Sequence, residues 1–160
     1  MEITAIPAPP FQERARGERT EELFREVGLR NIRTDEVGNV LGEYGMGHRE
    51  TPAAASGPSP FVVSAHLDTV FPSSTDVTPR GEGDRIQAPG ICNAGRGLAA
   101  LLALARVLME VNSPLGFPLL FVATVGEEGP GNLRGIRYLF AAGNMGFRPG
   151  GFISLDDAGL

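Results

Sequence analysis

Lysine is absent from this 160-residue chain, and all 14 of its basic residues are arginine. That excludes chemistry that depends on a lysine amine, such as a Schiff base or the lysine of a phosphate-binding loop. Cysteine is nearly absent too. With Cys92 alone no internal disulfide can form, which is the habit of a reducing compartment. No apolar run reads as long as the roughly 18 residues that a bilayer span needs. The opening Met1-Glu2-Ile3-Thr4-Ala5-Ile6-Pro7 lacks the basic and apolar regions of a secretory leader. Cytoplasmic residence is the expectation, with no membrane partner. The net charge of -5 argues equally against nucleic acid or an anionic lipid surface.

What is present is a soluble-domain composition, 42% hydrophobic and 21% charged, with 22 glycines and 13 prolines. Pro7-Ala8-Pro9-Pro10 cannot be helical. From Gln12 to Val27, Ala15, Leu23, Phe24 and Val27 recur at helical spacing among charges, predicting a surface helix closed by Gly28. Two extended pieces, Asn31-Ile32-Arg33 and Asn39 to Tyr44, flank an Asp35-Glu36-Val37-Gly38 turn. Gly45 to Pro60 reads as an exposed loop holding a solvated His48. Phe61 to His66 reads as a buried strand, Phe71 to Gly83 as a turn-rich stretch, and Asp84 to Ala88 as a short strand. Leu98 to Val111 is apolar almost all round, predicting a helix laid on a sheet with little exposure. Pro118 to Val125 reads as a central strand covered on both faces. Asn132 to Ala141 reads as an amphipathic helix through Leu133, Ile136, Leu139 and Phe140, and Gly151 to Leu155 as a further buried strand.

Strands alternating with helices predict an α/β fold, three-layer α/β/α around a mostly parallel sheet. In such sheets chemistry gathers at the carboxyl ends of the strands. Three apolar strands here end in His66-Leu67-Asp68, in Gly126-Glu127-Glu128-Gly129 and in Asp156-Asp157. Strand alternation sends His66 and Asp68 to one side, so the carboxylate can face one imidazole nitrogen while the other looks outward as a metal ligand. Glu127 and Glu128 are adjacent, so their side chains diverge. One can meet a cation while the other faces a water.

Four stretches carry a resemblance. They are Ser64 to Val70, Pro89 to Ala100, Ala123 to Gly129 and Phe152 to Asp156, with supporting matches at Ile6 to Pro10 and Asp35 to Val40. In order and spacing the chain resembles the zinc-dependent co-catalytic metallopeptidases that include peptidase T, carboxypeptidase G, aminoacylase and acetylornithine deacetylase. The resemblance implies a zinc-exopeptidase fold and a site of two Zn2+ ions, with manganese or cobalt able to substitute. It implies hydrolysis of a peptide or N-acyl amino acid next to a free terminus, by a water activated between the metals. Carried over by position, His66 ligates the first metal, Asp68 orients it, Glu127 is the general base, Glu128 ligates the second metal and Asp156 the first. The family's bridging aspartate falls at Asn93, whose amide is a poor bridge. Asn93 stands where the long helix should begin, so N-capping is the competing role. Cys92 beside it reads as a small core residue.

The family's last histidine ligand lies in a later segment, beyond Leu160, and the family's usual first helix precedes the Ile6-Pro7 match. Residues 1–160 are therefore expected to be the N-terminal part of a metallopeptidase catalytic domain, without the dimerisation domain that makes the family homodimeric. Neither metal site reaches about three protein ligands, so the competing reading is a non-catalytic remnant that binds at most one metal weakly. Such a piece should expose apolar surface and an open strand edge. A cysteine hydrolase built on Cys92, His66 and Asp68 is a third reading. A phosphate loop at Gly95-Arg96-Gly97 lacks its lysine, and a Ser64-His66-Asp68 triad lacks a nucleophile elbow.

Overall fold

The computed structural model describes residues 2–46, 58–112 and 114–156. His48, most of the loop around it, and Asp157 lie outside the described residues. The first helix, α1 (Arg14–Glu26), buries Arg16, Gly17, Thr20, Leu23 and Phe24, one face at the i, i+4, i+7, i+8 rhythm of an amphipathic helix. It ends at Gly28, whose φ of 91° suits glycine. Leu23, Phe24 and Val27 are buried as expected, but Ala15 is exposed and Arg16 is wholly buried in its stead.

Strands β1 (Arg30–Thr34) and β2 (Val40–Tyr44) form an antiparallel hairpin. Strand β3 (Phe61–His66) follows, then a small exposed hairpin of β4 (Arg80–Glu82) and β5 (Arg85–Gln87). β4 lies within the Phe71 to Gly83 stretch, whose composition predicts turn. Its side chains are all exposed, so no burial pattern marks it. A short irregular turn, Ile91–Gly95, leads into α2 (Arg96–Val111). After β6 (Leu119–Thr124) come the short helix α3 (Arg134–Leu139) and the strand β7 (Gly151–Ser154).

The main sheet has the order β1-β2-β6-β3-β7. β3 is parallel to both β6 and β7, whereas β2 is antiparallel to β6 and to β1. Only β2 therefore runs against the rest, and the sheet is mostly parallel as expected. β6 is buried along its whole length. Phe121 and Ala123 face a core shared with Phe24 of α1 and Leu98, Leu101 and Ala105 of α2. Leu120 and Val122 face a second core with Val62 and Leu139 of α3. Two helices on one face and one on the other make three layers.

Two apolar segments are less buried than their composition predicts. On α2, Val107 and Val111 are 54% and 67% exposed, because only one side of the helix meets the sheet. Among the described residues β7 pairs with β3 alone and ends the strand order, leaving Phe152 and Ile153 at 40% and 50% exposure. By length and mean hydropathy, 1.4, Ile91–Val111 would also pass for a membrane-crossing helix, against the expectation that no run is long enough. In the fold it carries Arg96, Arg106 and Glu110 and packs one face on the sheet as a core helix does.

Candidate metal centre

The parallel register brings the carboxyl ends of β3, β6 and β7 together. His66 pairs with Thr124 and Ser64 with Ser154. Two more backbone bonds continue past the strand ends, from Leu67 N to Thr124 O and from Leu155 N to Ser64 O, both 2.7 Å. His66, Glu127 and Asp156 thereby meet, each offering a ligand atom, with those atoms all within 4.8 Å of one another.

His66 is 3% exposed, and neither of its ring nitrogens has a hydrogen-bond partner. Nδ1 lies 3.6 Å from Asp68 Oδ1 and Nε2 lies 3.4 Å from Asp156 Oδ1. The first distance is too long for a hydrogen bond, so the attraction there is that of charge. A buried imidazole facing carboxylates on both sides, satisfied by none, is a donor set with room for a cation. One imidazole and two carboxylates suit a borderline or hard divalent ion.

Burial is the largest influence on the His66 ring and disfavours its charged form. Asp68, Glu127 and Asp156 together overcome it, and the pKa lies above the ordinary histidine value. Glu127 is pushed upward, first by burial and then by Glu128, Asp156 and Asp68, although His66 opposes this. An upward shift makes a carboxylate a better proton acceptor than an ordinary glutamate.

Asp68 does more than face the histidine. Wholly buried, it accepts the backbone N–H of Glu127 on Oδ1 at 2.9 Å and of Glu128 on Oδ2 at 2.8 Å. Burial works to raise its pKa, but His66 and these two amides hold it below the usual carboxylate value. One carboxylate thus ties the β3 end to the acidic turn after β6. Gly126 makes the turn possible with φ 62°. The two glutamates diverge as expected: Glu127 joins His66 and Asp156, while Glu128 Oε1 accepts a hydrogen bond from Asn93 Nδ2 at 2.9 Å.

That bond corrects the N-cap expectation for Asn93. The residue capping α2 is Gly95, with no side-chain cap, and Asn93 is extended at φ -125°, ψ 108°. Its amide is turned to Glu128 instead of to the helix. Cys92 is exposed and not a core residue, because the Ile91–Gly95 turn carries it to the surface. It lines a cleft of about 280 Å³ with Val70, Phe71, Ile91, Asn93 and Glu128. The described partners of Asp68 are His66, Glu127 and Glu128, and no cysteine is among them. Ser64 Oγ meets Ser154 Oγ at 3.5 Å.

Two supporting residues were not read from the sequence as part of the site. Arg16 donates to the carbonyls of Leu67, Ile6 and Thr4, which binds the chain's N-terminal stretch to the residue between His66 and Asp68. Asn39, also wholly buried, accepts Val125 N at 3.0 Å and donates to Gly135 O and Asp35 Oδ2 at 3.0 and 2.7 Å. It steadies the backbone just before the acidic turn. The Asp35–Asn39 turn was legible, but not its reach of 86 residues to Val125.

Comparison with known proteins agrees with this geometry. The chain is 26% identical over 155 residues to the uncharacterized protein YgeY of Escherichia coli K12, covering 92% of this chain and 35% of that one. The structure superposes on the aminopeptidase PepT of Bacillus cereus with a TM-score of 0.73 at 24% identity, over 99% of this chain and 42% of that one. It is also similar to YXEP of Bacillus subtilis, described as a dinuclear metal-binding peptidase of the M20 family, with a TM-score of 0.52 at 16% identity, over 79% and 33% of the two chains. The chain thus spans well under half the length of these relatives. Residues 62–157, which hold every candidate ligand, match the sequence profile of the peptidases M20/M25/M40. This chain belongs to peptidase family M20/M25/M40.

Proposed function

We propose that the chain supplies the first portion of the catalytic centre of a metal-dependent peptidase or N-acyl amino acid amidohydrolase. Zinc is the preferred ion, and the substrate is a short peptide or an acylated amino acid. The observation that carries this reading is the buried His66, both nitrogens unpartnered, between carboxylates from three strand ends. His66 and Asp156 would hold the cation, with Asp68 orienting the imidazole from behind. When bound, the ion would polarise a scissile carbonyl and lower the pKa of a water. Glu127 stands beside the ligands with a raised pKa and would take the proton from that water, then deliver it to the leaving nitrogen. Asp68 keeps Glu127 in place through the backbone amide it accepts. The apolar side chains of Val70, Phe71 and Ile91 in the cleft lining favour an apolar side chain next to the bond cut.

The test is hydrolysis of dipeptides, tripeptides and N-acetyl amino acids by the full-length gene product, with and without zinc. Activity should require the metal. It should fall by about 10²-fold or more in Glu127→Gln, the usual contribution of a placed base. The second reading, a non-catalytic chain with one cation, is favoured by the neutral Asn93 amide on Glu128. Metal binding without hydrolysis of any of these substrates would select it. Hydrolysis that persists in excess chelator and is lost in Cys92→Ser would overturn both.

A further inference from the structure

The described cluster of ligand atoms is His66, Glu127 and Asp156, and Glu128 is outside it. A dinuclear relative such as YXEP raises the question of what occupies the Glu128 side. Here that carboxylate accepts the Asn93 amide at 2.9 Å. We propose that the Asn93–Glu128 hydrogen bond stands in place of a second cation, so that this centre binds one divalent ion per chain. The inference rests on the metal reading above.

The reason lies in what an amide and a carboxylate can each do. A carboxylate at position 93 would face the Glu128 carboxylate at contact distance, and two such groups cannot both stay ionised without a cation between them. The amide removes that need. Its N–H fills the Glu128 oxygen with a charge-assisted bond and brings no second negative charge beside it. An ion approaching Glu128 from the same side would meet the positive end of the amide dipole. Breaking the bond and turning the amide would offer a single neutral oxygen, since the –NH₂ group has only donors. The remaining atom, Asn93 Oδ1, is buried without a hydrogen-bond partner among the described residues. A neutral amide oxygen is a poor bridge between two ions, where a carboxylate offers two charged oxygens. The independent sign of a ligand is the buried His66 ring with both nitrogens unpartnered, and that ring lies in the cluster without Glu128.

The experiment is a stoichiometric titration of the full-length protein, stripped by chelator, with zinc in competition against a chromophoric chelator. Cobalt absorption can serve as the second readout. One equivalent is expected for the unaltered protein and for Glu128→Gln, with the apparent Kd changed by no more than about threefold, or 0.7 kcal/mol. Asn93→Asp should take up two equivalents. Two equivalents in the unaltered protein would overturn the inference, as would a tenfold loss of affinity in Glu128→Gln. One equivalent in a folded Asn93→Asp protein would also overturn it, because the amide would not then be the cause. Zero equivalents in every protein would sink the metal reading itself, a result distinct from all of these.

Discussion

Arg16, in the first turn of α1, donates Nη1 to the carbonyl oxygen of Leu67 at 2.7 Å. Leu67 lies between the histidine and the aspartate of the centre, so a buried cation 51 residues earlier holds the strand end on which both are mounted. Burial brings the guanidinium down to a pKa of about 10, with the Asp68 charge opposing the fall, so it remains protonated at neutral pH. Arg16→Met should leave the Leu67 and Ile6 carbonyls buried and unpaired, at about 3 kcal/mol of stability. The shift in the urea midpoint measures it, and a loss under about 1 kcal/mol would show that water or another donor replaces the guanidinium.

Asp68 satisfies two backbone amides with two oxygens. Asp68→Asn keeps the shape but offers one acceptor, and its –NH₂ group must face a second N–H. The substitution should cost about 2 kcal/mol and loosen the 126–129 turn. Amide hydrogen exchange at Glu127 and Glu128 checks this directly: both should exchange faster than in the unaltered protein, whereas unchanged protection would contradict the role.

Gly135 approaches Asn39 so closely that a Cβ there would fall 2.2 Å from Asn39 Oδ1 and 2.7 Å from both Val125 N and O. Two of those three atoms are backbone and cannot swing away. Gly135→Ala should therefore destabilise by about 2 to 3 kcal/mol, the upper part of the range for overpacking a filled interior. Asn39→Ala should cost a similar amount by leaving Val125 N and Gly135 O unpaired. The double variant should lose less than the sum, because both act on one contact. Thermal denaturation of the three proteins tests this, and strict additivity would refute the shared cause.

The metal-free centre makes a pH prediction with two signs. His66 has a folded pKa above its ordinary 6.5, so its stabilising contribution is complete below 6.5 and disappears as pH rises through the folded value. Asp68 has a folded pKa below its ordinary 3.8, so its contribution is complete above 3.8 and disappears as pH falls through the folded value. In chelator the melting temperature should be highest between 3.8 and 6.5 as far as these two groups decide it. Zinc should move the optimum upward, because the ion binds the neutral ring and competes with its proton. Melts across acidic and mildly basic buffers, with chelator and with zinc, read both effects. A chelated protein that keeps gaining stability above pH 6.5 would contradict the histidine sign.

The chain's own pattern was enough for the strands that bear the centre and for the residues at their ends. Continuous apolar runs such as Leu119–Thr124 have one stable place, the middle of a covered sheet, and parallel pairing then puts His66, the Glu127–Glu128 turn and Asp156 on one side. Those consequences follow from period and burial, which are local properties. Packing alone decided the rest. Whether Arg16 or Ala15 faces inward depends on carbonyls from Thr4, Ile6 and Leu67 converging to receive a guanidinium, and helical spacing does not encode that convergence. Whether β7 is covered depends on its neighbours, and among the described residues it has one on one side only. Whether Asn93 caps a helix or ties up Glu128 depends on a partner 35 residues away. An isolated amide has an oxygen that can accept for the cap and an –NH₂ that can donate to a carboxylate, and only the tertiary approach of the two turns selects between them.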